Sequence, residues 1–423
     1  MTVISFLFDY QSIFIFYIIL IIFFYIRRKH LVIQSKIIIL YRTVFGLSFI
    51  EKISQKYKEW VKLWGYIGIG IGFSSLAVIS FSLITLFVQL FTRPNQPSGV
   101  QLVIPGATIP GLGALSFWDW FLAIFIIALV HEFAHGIVAR AHGIPVKWTG
   151  IVLLGPILGA FVEPDEKKLP RTSDTIQYSV YAAGSFANIC LAIIAFLLLI
   201  YVALPVQHLL AEPVGITFGT ASASSPAVQV GLLPSQIITQ VNGTTIHNSL
   251  QFMQEISRFR PHEMISLTVS QETSHIRSGF LPPRSAPLLQ QSIQFIDSPI
   301  DKVKTIQFPL AEHPNNNRRP FIGINNVTDV YLLKNPLSAS LRIFDNALLD
   351  IIDFLRWLTF LSFSIGLFNM LPLPIVDGGR MAHTFFVRLF GEKKGKHVYG
   401  RVGMFFLAIL IIILGASLVR WVF

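Results

Sequence analysis

The stretch Ile126-Ile127-Ala128-Leu129-Val130-His131-Glu132-Phe133-Ala134-His135 decides how this chain is read. Two imidazoles and a carboxylate follow directly on an apolar run. Ionisable groups in such a setting are costly to insert and are kept for function. On a helix, positions i and i+4 share a face, so His131 and His135 aim two nitrogens at one ion. Glu132 lies one position on, placed to take a proton rather than to bind the ion. The alternative, three polar groups serving only interhelical hydrogen bonds, is expensive in an apolar span.

Composition sets the class. Of 423 residues, 53% are hydrophobic and only 13% charged, and the mean hydropathy is +0.63. A soluble chain carries roughly a quarter charged residues, so a polytopic α-helical membrane protein is expected. The net charge of +11 does not point to nucleic acid, because the basic residues cluster beside apolar spans, as in cytoplasmic loops facing anionic lipid. Cys190 is the only cysteine, so no intrachain disulfide can form. The N-terminal apolar stretch lacks the basic region and cleavage site of a signal peptide and reads as a retained span.

About six spans are expected, at 4–26, 65–92, 117–140, 176–204, 350–371 and 402–421. Trp148 to Val162 is shorter and holds Gly150, Gly155, Pro156 and Gly159. It reads as one re-entrant hairpin or loop whose backbone polar groups the protein must satisfy. Segment 27–64 carries nine Lys and Arg residues against Glu51 and Glu59, so the positive-inside rule makes it cytoplasmic. Its interleaved apolar and basic residues suggest a basic amphipathic helix at the interface. Alternation then places the N-terminus and 205–349 outside, and 372–401 inside. Arg380, Arg388, Lys393, Lys394, Lys396 and Arg401 in that last loop agree.

A catalytic zinc needs a third protein ligand. His142 lies roughly 10 Å along the helix from His135 and is too far. Glu163 is a candidate, but it belongs to the charged turn Glu163-Pro164-Asp165-Glu166-Lys167-Lys168. Asp377, in Asn369-Met370-Leu371-Pro372-Leu373-Pro374-Ile375-Val376-Asp377-Gly378-Gly379, is the best candidate. Pro372 and Pro374 end a span, Gly378 and Gly379 allow a sharp turn, and sidedness puts Asp377 with the two histidines. Its other reading is a cap for a helix over 380–390.

HEFAH in a span, AGSFAN over Ala183–Asn188 in the next, and NMLPLPIVDGG far downstream together resemble the site-2 protease family of intramembrane zinc metalloproteases. The resemblance covers roughly 117–205, the insert and 350–390. It implies one Zn2+ per chain held by His131, His135 and Asp377, with Glu132 as general base. It implies that Asn369 and Asn188 bind substrate, and that the re-entrant segment offers an edge strand to it. The expected substrates are single-span membrane proteins cut within their transmembrane segments near the cytoplasmic face, with the lipid bilayer as the medium.

Residues 212–327 turn to mixed polarity. Ser225-Pro226-Ala227 starts a short helix, Gln236–Val241 reads as a strand, and Asn242-Gly243 as a tight hairpin turn. Ser249 is expected to cap an amphipathic helix, Met264–Val269 to form a strand, and Phe321–Ile324 to close the sheet. SPAVQVGLLPSQIITQVNG resembles a PDZ domain, with Ser235 and Gln236 in place of the usual Gly-Asp and with 272–303 as an insertion. The implied roles are substrate filtering and capture of a peptide ligand. The expected organisation is a two-span region at 1–116, catalytic core at 117–205, an extracytoplasmic α+β PDZ domain at 206–345, and catalytic core again at 346–423, in a multi-pass cell-membrane protein.

Overall fold

The computed structural model describes residues 11–422 apart from 29–30, 35–37, 93–102, 104, 106–107, 110–111, 155–156, 166, 235, 271–292, 297–299, 301, 315 and 334–338. The start of the first expected span, the Arg93 loop, Gly155-Pro156, Ser235 and most of the insertion therefore lie outside the described residues. The chain forms two compact units. Among the described residues, one holds those within 11–103, 118–195 and 358–422, and the other those within 104–117 and 196–357.

The first unit is helical. Its helices are α1 (Gln11–Ile26), α2 (Leu47–Lys56), α3 (Lys58–Thr92), α4 (Phe117–Ala141), α7 (Asp377–Phe390) and α8 (Glu392–Val422), with α5 (Asp174–Leu198) up to residue 195 and α6 (Ala339–Phe368) from residue 358. Among the described residues, five helical stretches are long and apolar enough to cross a membrane: 58–92, 117–141, 174–210, 350–368 and 392–417. The first expected span appears as the shorter apolar helix α1.

Helix α3 packs through glycines. Gly65, Gly68 and Gly72 are buried along one face. A Cβ on them would meet Val138 at 3.1 Å, Phe186 at 3.1 Å and Ala182 at 3.0 Å. Small residues let helices approach this closely where no hydrophobic effect drives them together. Through this face α3 buttresses α4 and α5. Further along, Leu83 joins Leu371, Leu373, Phe406 and Ile409 in a buried cluster that holds α8.

A four-stranded antiparallel sheet completes the unit, in the order β1 (Leu31–Gln34), β2 (Ile38–Thr43), β3 (Val146–Leu154), β4 (Ile157–Pro164). The re-entrant segment is thus a hairpin, with Thr149 opposite Val162 and Gly150 opposite Phe161. The expected amphipathic helix over 27–64 is corrected. Its first half is the β1–β2 hairpin, with β2 paired to β3 from Ile38–Leu154 to Thr43–Thr149. Its apolar residues are largely β-branched (Val32, Ile33, Ile38, Ile39), a composition that suits a strand. Only α2 and the start of α3 are helical there. Arg140 of α4 forms a paired ion bridge with Glu51 of α2, and that guanidinium holds the Glu51 carboxyl below the usual range.

The second unit is a mixed sheet in the order 293–296, 324–333, 211–221, 238–241, 264–270, 303–309. All neighbours are antiparallel except 293–296 and 324–333, which run parallel. Its core is Ile216, Phe218, Ile238, Phe252, Leu267 and Phe308. Asn242 and Gly243 both have positive φ (47° and 80°), as a two-residue turn twisted with its strands requires. Two expectations are corrected. Asn248, not Ser249, caps helix Ser249–Ser257, accepting the Gln251 N–H at 2.9 Å. Phe321 ends one strand and Ile324 begins the next, with Gly323 at φ 87° between them.

Candidate metal centre

Helix α4 presents His131 and His135 one turn apart, and the first residue of α7 presents Asp377 between them. His131 Nε2 lies 3.0 Å from His135 Nε2 and 3.0 Å from Asp377 Oδ2. His135 Nε2 lies 3.1 Å from the same Oδ2. Asp377 and His131 are 8% and 9% exposed, so three ligand-type atoms face one another away from bulk water.

The chain reaches this geometry through the turn between α6 and α7. Gly378 N–H bonds to the Asn369 carbonyl at 2.8 Å, and Gly379 N–H to that of Val376 at 3.1 Å. A Cβ at Gly378 would run into the Met370 carbonyl, and one at Gly379 into that of Leu373. Neither glycine has positive φ. The two glycines thus serve the turn by allowing close backbone approach rather than by positive φ. Asp377 is not a side-chain cap. It stands inside the first turn of α7, with Val376 as the capping residue, where the helix dipole favours a carboxylate.

The donor set fits a zinc ion. Zinc takes His nitrogen and carboxylate oxygen at about 2.0–2.2 Å. A triangle of atoms about 3 Å apart is the base such a tetrahedron needs, with a fourth position left open. His135 Nδ1 donates to the Val180 carbonyl at 2.6 Å, which leaves Nε2 with its lone pair. Glycine at 184 makes room, because a Cβ there would stand 2.6 Å from His131 Nε2 and also against His135 Nε2. His131, His135 and Asp377 are the one metal-type cluster among the described residues.

The proton-accepting group stands beside this triangle. Glu132 Oε2 accepts the Val162 N–H at 3.1 Å. That bond ties the carboxylate to β4, whose Val162 N–H points away from β3 and so lies on the free edge of the sheet. A cavity of about 560 Å3 opens over the cluster. Glu132, Val162, Asn188, Asn369, Asp377 and Arg380 are among the residues that line it.

The remaining candidates separate cleanly. Asn188 is fully buried, its amide 3.2 Å from His131 Nδ1. Asn369 lies just past α6 and is among the residues that line the cavity. Glu163 pairs with Arg42 at 3.0 Å, and His142 meets Ser179 Oγ at 3.2 Å. Neither belongs to the cluster. Gly184, Val180 and Val162 were missed from the sequence. Gly184 lies in the AGSFAN run and so carried a signal, whereas the other two act through backbone atoms that no side-chain pattern records.

An uncharacterized protein of Methanocaldococcus jannaschii is 32% identical over 222 residues, 51% of this chain and 55% of that protein. The zinc metalloprotease RasP of Oceanobacillus iheyensis is 22% identical over 55% of this chain and 56% of its own length. A membrane-bound transcription factor site-2 protease homolog of Arabidopsis thaliana is 20% identical over 48% of this chain and 39% of that protein. A PDZ domain of an SdrC-like protein from Listeria monocytogenes matches 26% of this chain and 85% of its own at 15% identity, with a TM-score of 0.17. Peptidase family M50 matches residues 119–410, a stretch that contains all three metal-type side chains, Glu132 and both asparagines. On that match the chain belongs to peptidase family M50.

Proposed function

We propose that the chain is a zinc endopeptidase that cuts peptide bonds within the transmembrane segments of single-span membrane proteins. The observation that carries this reading is the buried triangle of His131, His135 and Asp377, with Glu132 alongside, among helices apolar enough to cross a membrane. These three side chains would hold one zinc ion. When bound, the metal supplies Lewis-acid polarisation of a carbonyl and a lowered pKa for water. Glu132 is the general base: it takes the proton of the attacking water and passes it to the leaving nitrogen.

A substrate helix hides its scissile carbonyl and must unwind first. The free edge of β4 offers backbone groups to an extended segment, replacing the hydrogen bonds lost on unwinding. Asn369 holds the substrate backbone at the cavity wall. β2 covers the other edge of the hairpin, so a segment adds on the β4 side. In this reading the second unit is an extracytoplasmic PDZ domain that filters substrates and captures a peptide, the N-terminus is extracytoplasmic, and the zinc lies toward the cytoplasm.

The test is a panel of single-span proteins co-expressed with the chain in membranes, with the products mapped by mass spectrometry. New termini inside the apolar segment are the expected result. Cuts confined to soluble regions, or none in any panel member, would sink the proposal.

A further inference from the structure

Asn188 stands on α5 with no solvent exposure. Ser362 Oγ–H donates to its backbone carbonyl at 2.7 Å, so α6 holds it from behind. Its Nδ2 faces His131 Nδ1 at 3.2 Å, and its Oδ1 is buried with no hydrogen-bond partner.

A histidine that gives its Nε2 lone pair to a metal carries its remaining ring proton on Nδ1. Two donors would then face each other at His131, while a good acceptor lies idle on the same amide. A half turn about χ2 exchanges Oδ1 and Nδ2. It gives the His131 Nδ1–H its acceptor and places Nδ2 in the buried position that Oδ1 holds.

His135 sets the precedent, since its own Nδ1–H already donates to the Val180 carbonyl at 2.6 Å. Both ligands would then be oriented from α5, one by a backbone carbonyl and one by a side-chain amide. Such partners fix the ring, select the tautomer and raise ligand basicity.

We infer that Asn188 is a positioning residue for the metal, its Oδ1 accepting from His131 Nδ1–H so that Nε2 is presented to the ion. The inference rests on the zinc reading of the site.

Two variants of the full chain test it. Asn188→Leu keeps the bulk and loses the acceptor, whereas Asn188→Asp keeps both. Zinc affinity is read by chelator competition in detergent and set beside kcat and KM. The expected result for Asn188→Leu is a loss of about 10–100-fold in zinc affinity, the range for such partners, with Asn188→Asp at or above wild type. A wild-type zinc affinity in Asn188→Leu, with only kcat or KM altered, would make Asn188 a substrate contact and overturn the inference. So would an equal loss in both variants. Should Asn188→Leu not fold, the cobalt-loaded Asn188→Asp protein decides. A visible spectrum shifted from wild type supports the role, and an unchanged one overturns it. If the wild-type chain takes up neither metal, it is the zinc reading that fails.

Discussion

Gly184→Ala is expected to cost the site its metal and the chain at least about a hundredfold in cleavage. The added methyl carbon would stand 2.6 Å from His131 Nε2 and against His135 Nε2, where carbon and nitrogen need well over 3 Å. The imidazoles cannot simply step aside. His135 is tied to Val180 O at 2.6 Å, and His131 is packed against the amide of Asn188. A misplacement of about 1 Å in a catalytic group already costs on the order of 100-fold. The control is Gly70→Ala, because nothing lies within 4 Å of a Cβ there. Replacing a helical glycine by alanine is worth roughly 0.5–1 kcal/mol in stability, so this variant should unfold no earlier than wild type. Zinc content by mass spectrometry of the metal reads both variants. A Gly184→Ala protein with full zinc and full cleavage would remove α5 from the account of the centre.

Glu132→Gln is the second large effect, and it separates binding from chemistry. Glutamine matches glutamate in shape, and its amide oxygen can still accept the Val162 N–H that Glu132 Oε2 takes at 3.1 Å. The local packing and the three ligands are therefore left in place. What disappears is the proton acceptor, and general-base catalysis by a positioned side chain is worth about 10²–10⁴ in rate. Zinc content should stay at the wild-type level while kcat falls by about that factor, with KM little changed. Cleavage at the wild-type rate would show that another group takes the proton. Loss of zinc would show that Glu132 shapes the metal site itself.

What the sequence disclosed about this centre follows the distance over which each signal acts. His131 and His135 are one helical turn apart, so their common face was legible from spacing alone. Asp377 is 242 residues from His135 and was reached by sidedness and the proline–glycine pattern, yet it lies within 3.1 Å. The turn at Gly378 and Gly379 was legible, but not that it rests on close backbone approach, because that leaves the same mark on a sequence as a left-handed turn.

Sheet pairing was harder to see. Tyr41 faces Ile151 across 110 positions, and no local pattern encodes a partner at that separation. Segment 31–43 sets apolar runs beside Lys36 and Arg42 and reads equally as an interfacial helix, so only the presence of β3 settles it as a hairpin. The Glu132–Val162 and His135–Val180 bonds were invisible for a different reason. Each uses a backbone atom of valine, and valine in an apolar stretch carries no sign that its N–H or C=O has a task.

The central claim is that a zinc ion held by His131, His135 and Asp377 is required for the cut. The most direct measurement strips purified full-length chain with a chelator, then assays cleavage of a single-span substrate before and after zinc is returned, counting metal per chain at each stage. The account requires one zinc per chain in the active protein, no cleavage without it and recovery on its return, with Asp377→Ala recovering neither metal nor activity. Undiminished cleavage by metal-free protein, or full zinc in Asp377→Ala, would contradict it.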